Sequence, residues 1–71
     1  MSLTETAERL KKIALEARWS SERIKAMETL GEMGEEGINA LSEIGFKGVY
    51  SSEREKALDL AKKLLIERKE D

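Results

Sequence analysis

The chain has 71 residues, 13 basic and 15 acidic, a net charge of −2, and no cysteine, histidine or proline. This composition excludes disulfide and thiolate chemistry, removes the usual metal ligand and neutral-pH proton carrier, and gives no overall attraction for nucleic acid or anionic lipid. A single domain of this size buries only about 60% of its unfolded surface, so the core is marginal unless it packs tightly or copies associate. No apolar run approaches about 18 residues and the N-terminus has no signal-peptide pattern, so a soluble, cytoplasmic protein without membrane contact is the expectation.

The absence of proline suits a chain that is mostly helix. The first predicted helix covers residues 3–18. Ser2 and Glu5 spell a capping box, with Thr4 as a rival cap. Leu3, Ala7, Leu10, Ala14 and Ala17 alternate spacings of four and three, and Ile13 widens that stripe. Glu5–Arg9 and Glu8–Lys12 are four apart, each pair contributing about 0.2–0.5 kcal/mol if formed. Trp19 and Ser20 mark the junction to the next element.

The stretch Arg23–Gly34 organises the centre of the chain. Ile24, Met27, Leu30 and Met33 form one apolar stripe of a helix over residues 21–33, with Ser20 or Ser21 as N-cap and Glu22 at the positive end of the dipole. Gly31 lies inside that pattern, where a glycine marks a close backbone approach. Gly34 suits a left-handed closing position. Ile38, Leu41 and Ile44 give a second stripe over residues 35–44. The two stripes meet if the chain folds back as an antiparallel pair.

The residues Arg23-x-x-Ala26-Met27-x-x-Leu30-Gly31-x-Met33-Gly34, followed by Ile38-x-x-Leu41, resemble one HEAT-like repeat of the short, phycobilisome-lyase type. The resemblance implies that the Leu-Gly and Met-Gly pairs close the first helix, that the second helix packs back on it, and that this second helix lines the concave binding side.

Residues 45–50 contain two glycines and precede Ser51-Ser52, which marks a loop. Phe46, Val49 and Tyr50 are expected to tuck under the fold. Trp19, Phe46 and Tyr50 read as core packing at the helix junctions, with an exposed hot spot as the alternative. The last helix covers residues 52–68, capped by Ser51 or Ser52. Ala57, Leu58, Ala61, Leu64 and Leu65 form its stripe, Asp59–Lys63 is a possible pair, and the charged residues 67–71 are expected to fray.

An internal echo links two of these segments. Ser20-Ser21-Glu22-Arg23-x-Lys25-Ala26-Met27 recurs as Ser51-Ser52-Glu53-Arg54-x-Lys56-Ala57-Leu58, at an offset of 31. That period suits a two-helix repeat. The order would be the second helix of one repeat, one whole repeat, then the first helix of the next. Fewer than about three repeats rarely stand alone, so either the helices close into a compact bundle or their open faces pair with another copy.

No catalytic constellation is visible. The carboxylate pairs Glu28/Glu32, Glu35/Glu36 and Glu53/Glu55 read as solvated faces, because nothing marks an apolar pocket that would raise a pKa. The Ser and Thr clusters read as caps, and Gly31-x-x-Gly34-x-x-Gly37 lacks the Lys-Ser/Thr of a phosphate loop. A non-enzyme without cofactor or metal is therefore expected. Residues 20–45 set Arg23 and Lys25 against six glutamates, a net of −4. Glu36, Asn39 and Glu43 share one face there. With Phe46 and Tyr50 they form the candidate protein-binding surface, for a basic partner or another subunit. The last third carries seven cations against six acids, a net of about +1, which is little for a phosphate-binding face. The expectation is an all-α array or compact bundle of four helices, acting as a self-associating interaction module. A homodimer is the simplest form. A nucleic-acid-associated helical regulator is the alternative.

Overall fold

The computed structural model describes residues 2–69 of the chain. They form four α-helices, α1 (Leu3–Glu16), α2 (Ser20–Leu30), α3 (Glu35–Lys47) and α4 (Ser51–Lys69), with no strand among the described residues. The all-α, four-helix expectation holds, while several boundaries differ for local reasons.

Helix α1 opens on the expected capping box. Glu5 N–H donates to Ser2 Oγ at 3.1 Å, and Ser2 N–H donates to Glu5 Oε1 at 3.0 Å. It stops at Glu16 rather than residue 18 because Ala17 turns extended at φ −62°, ψ 146°. Glu8 pairs with Lys11, at 3.1 Å, instead of Lys12. Helix α2 starts at Ser20, and its N-cap is Trp19 rather than a serine; no side chain caps it. The Trp19 carbonyl accepts from Glu22 N–H at 3.1 Å and from Arg23 N–H at 3.2 Å.

Helix α2 also ends early, at Leu30, so Gly31 is its C-cap and not an interior residue. A tight turn follows, in which Glu32 N–H and Met33 N–H donate to Thr29 and Leu30 carbonyls at 3.0 Å each. Gly34 takes φ +62°, but with ψ −131° and as the N-cap of α3, so it opens the next helix rather than closing α2 in the left-handed helical position. The closest backbone approach falls elsewhere than expected. A Cβ on Gly37 would overlap the Leu30 carbonyl oxygen, whereas one on Gly31 would meet the Leu60 side chain at 3.2 Å.

Helix α3 does not stop at residue 44. It runs through Gly45 and Phe46 to Lys47, with Leu58 packed directly on Gly45. The predicted loop is thereby reduced to Gly48–Tyr50. Phe46 is 85% exposed, Val49 73%, Trp19 60% and Tyr50 50%, which overturns the expectation that these residues pack into the interior. Glu67 and Arg68 continue α4, while Glu70 and Asp71 lie outside the described residues.

The core is built from small and aliphatic residues instead. Met27, Leu30, Leu41 and Ile44 are fully buried, and Ala7, Ala14, Ala26, Ala40, Ala57 and Ala61 line the helix contacts around them. Alanine at these positions lets helices approach closely without loss of helix propensity. The most extensive packing joins α1 to α2 and α3 to α4, followed by α1 to α3, while α2 touches α3 more sparingly. The structural units are therefore the hairpins α1–α2 and α3–α4, rather than a central α2–α3 hairpin with half-repeats on either side. Short connections of three residues, 17–19 and 48–50, make each hairpin antiparallel. The fold is a slab whose Cα extents are 38 × 29 × 17 Å.

The two hairpins obey the 31-residue offset throughout. Moving α1 by 31 residues lays it on α3, and moving α2 lays it on the start of α4. Gly48, the counterpart of Ala17, repeats its backbone at φ −58°, ψ 147°. Leu10 and Ile13 recur as Leu41 and Ile44, an extension of the echo that starts ten residues before Ser20.

Candidate interaction surface

Each hairpin turn is held by one arginine. Arg23 Nη1 donates to the carbonyls of Ala17 and Arg18, at 2.8 and 3.1 Å. Arg54 Nη1 donates to those of Gly48 and Val49, at 2.8 and 3.2 Å. In both cases the side chain reaches back five and six residues and satisfies carbonyls of the short connection that follows the preceding helix. The carbonyl of Tyr50 accepts from Glu53 N–H and Arg54 N–H at 3.1 and 3.0 Å, as that of Trp19 does from Glu22 and Arg23.

Beyond the turns the two arginines differ. Arg23 also donates from Nε and Nη2 to the two carboxylate oxygens of Glu53, at 2.8 and 3.1 Å, and both residues are buried. The guanidinium lies 4.5 Å from the centroid of the Tyr50 ring. This bidentate pair, backed by an aromatic face, joins hairpin to hairpin. Hydrogen bonding to Glu53 holds Arg23 more firmly protonated than a free arginine. Lys56–Glu28 at 3.6 Å and Lys11–Glu43 at 3.2 Å tie the same joint. Among the described residues Arg54 has no carboxylate partner and no ring over it.

The other side of the α1–α2 hairpin carries the complementary half. Leu10, Ile13, Ala17, Glu22, Lys25 and Ala26 line an open, mainly apolar groove of about 510 Å³. Their counterparts 31 residues on are Leu41, Ile44, Gly48, Glu53, Lys56 and Ala57. Leu41, Ile44, Ala57 and Glu53 are buried in the joint, whereas Ile13 is 43% exposed and Glu22 is exposed. The ring of Trp19, the counterpart of Tyr50, has the Arg18 guanidinium over it at 5.3 Å from the centroid.

The residues singled out from sequence are spread differently. Glu36 accepts from Thr4 Oγ1 at 3.2 Å, and Glu43 accepts from Lys11 at 3.2 Å and Lys47 at 3.5 Å. These glutamates fasten α3 to α1. The Lys11 hydrogen bond and charge, with Lys47 behind them, hold the Glu43 carboxyl below its ordinary range. Asn39 is exposed on the same helix, and Phe46 is exposed one turn beyond Glu43. Tyr50 belongs to the arginine joint. The groove residues Leu10, Ile13, Glu22 and Lys25 were not singled out, although the identity of Leu10-x-x-Ile13 with Leu41-x-x-Ile44 carried the signal. No group of three metal-ligating side chains converges, and no helix is long and apolar enough to cross a membrane, among the described residues. Comparison with known protein families, curated proteins and solved structures finds no match for this chain.

Proposed function

We propose that the chain is a small, non-catalytic protein-interaction module built of HEAT-like hairpins, and that it associates with itself. The carrying observation is the open α1–α2 groove, whose equivalent surface on α3–α4 is buried against a neighbouring hairpin. A surface shaped for hairpin packing but left uncovered favours association, because burying it removes apolar area from water. The exposed Trp19, Phe46 and Val49 add to that apolar area. The acidic face contributes less, since Glu36 and Glu43 are engaged with α1 and Glu35 with Arg68; Asn39 and Phe46 are its open members. Cytoplasmic location accompanies this reading.

Nucleic-acid binding gains no support from the arrangement of cations. In the last third Lys47, Lys56 and Arg68 are each compensated by a glutamate. Arg54, Lys62 and Lys63, without an ion-pair partner among the described residues, are interleaved with Glu55, Asp59 and Glu67, fewer free cations than a phosphate-binding face needs. The test is solution mass by size exclusion with light scattering, over a concentration series at low and high salt. Self-association predicts a mass that rises with concentration at both salt levels. A monomer throughout would overturn it. Binding to duplex DNA that falls steeply with salt would replace it by the nucleic-acid reading.

A further inference from the structure

We propose that a second copy of this chain docks head to tail, its α1–α2 groove seated on the outer face of α3–α4 of the first, so that the contact repeats the joint already present inside each molecule. The inference rests on the self-association reading and specifies its geometry. It follows from carrying each contact of the internal joint forward by 31 residues. The pair Arg23–Glu53, at 2.8 Å, becomes Arg54 with Glu22 of the second copy. The pair Glu28–Lys56, at 3.6 Å, becomes Asp59 with Lys25 of the second copy. The stacking of Arg23 on Tyr50 becomes Arg54 beneath Trp19 of the second copy.

Charge and shape agree at each of these positions. Glu22, Lys25 and Asp59 are exposed, and none has an ion-pair partner among the described residues. Arg54 is already oriented by its turn, so little side-chain freedom is lost when a carboxylate arrives. On the apolar side, Met27 is fully buried within the joint, while its counterpart Leu58 is 49% exposed on the outer face. Ile13, the counterpart of fully buried Ile44, is 43% exposed in the groove. Two contacts are not reproduced. Lys11–Glu43, at 3.2 Å, becomes Ser42 facing Lys12 of the second copy, with no ion pair. Thr4–Glu36 becomes Glu35 facing Glu5 of the second copy, although Arg68 holds the first and the Ser2 capping box the second. Those mismatches make the contact between copies weaker than the joint within one.

A head-to-tail contact uses two different faces and does not close on itself after two copies, whereas a two-fold dimer uses one face twice. Wild-type mass should therefore pass beyond the dimer as concentration rises. The decisive experiment mixes two blocked variants. Ile13→Arg places an unpaired charge in the groove and Leu58→Arg places one on the outer face, each weakening association about 100-fold or more. Each variant alone should be monomeric by light scattering where wild type associates. Their equimolar mixture should form a dimer and nothing larger, because one good groove meets one good outer face. Circular dichroism checks that both fold. A charge exchange gives an independent reading that leaves the core untouched. Lys25→Asp or Asp59→Lys alone should weaken association about tenfold, and the double variant should recover it. Wild-type protein that stays monomeric would overturn self-association itself. Association that stops at a dimer, or blocked variants that fail to pair with no recovery by the exchanged charges, would overturn only the head-to-tail mode.

Discussion

The two arginine turns, at Arg23 and at Arg54, share the Ser-Ser-Glu-Arg that follows them, the backbone at their first residue and the carbonyl hydrogen bonds, yet only one is part of a closed joint. Arg23 has Glu53 and Tyr50 on its far side; Arg54 has solvent. The difference teaches that the local motif makes the turn, and that the neighbouring hairpin turns the same arginine into an anchor. The same contrast separates the hydrophobic residues. Leu41 and Ile44 are core, whereas Leu10 and Ile13, the same residues in the same order, line a groove.

The largest effect should come from breaking the closed joint. Arg23→Met leaves the buried Glu53 carboxylate without its partner, and should lower Tm by more than about 10 °C. Arg54→Met removes only the carbonyl bonds of its turn and should cost much less in the same melt. Replacing Arg23 and Glu53 together, by Met and Leu, should recover most of the loss, because the penalty lies in the orphaned charge. Equal losses at Arg23 and Arg54 would mean that the joint adds nothing to the turn.

The leucine pair sharpens the comparison. Leu41→Ala should cost about 3 kcal/mol in urea unfolding, as a fully buried truncation. Leu10→Ala, on the half-buried equivalent, should cost about 1 kcal/mol. In the first turn of α3, Gly37→Ala should cost about 2–3 kcal/mol, since the new methyl meets the Leu30 carbonyl and backbone cannot yield cheaply. Gly31→Ala meets only the flexible end of Leu60 besides its own helix, and should change stability by less than about 1 kcal/mol.

The smallest effect expected is on acidification. Glu43 is held below its ordinary value of 4.5 first by the Lys11 hydrogen bond, and Glu5 by the Ser2 backbone N–H. Groups with depressed folded pKa values contribute stability that is complete above about pH 4.5 and is lost as pH falls through the lowered values. Tm should thus be level from pH 7 to about 5 and decline below that. Glu43→Gln should flatten the decline; an unchanged slope would show that the α1–α3 contact at Lys11 is not the group being titrated.

Much of the architecture was legible because it is local. The Ser2–Glu5 capping box and the Ser-Ser-Glu-Arg echo each act within one or two turns of chain, and the structure keeps them, whereas the apolar stripes hold only in part, with Leu3 65% and Leu58 49% exposed. The boundaries around Gly31 and Gly45 misled for the opposite reason. A glycine in a helical pattern is a cap or a seat for a neighbour depending on what packs there, and Leu58 on Gly45 lies thirteen residues away. The aromatics were misplaced on a volume argument, that a small chain needs its large side chains inside. Close alanine seams filled the interior instead.

By itself the sequence determined the all-helical class, the number of helices, the first cap and the 31-residue period, because propensity, capping and amphipathic spacing are properties of short segments. Only the tertiary structure decided which helices pair, that Arg23 reaches Glu53 across thirty residues, and that Leu10 and Ile13 stay open while Leu41 and Ile44 are buried. Burial is a property of what lies opposite, and the same leucine and isoleucine at the same spacing differ in it as soon as one pair has a neighbouring hairpin and the other has water.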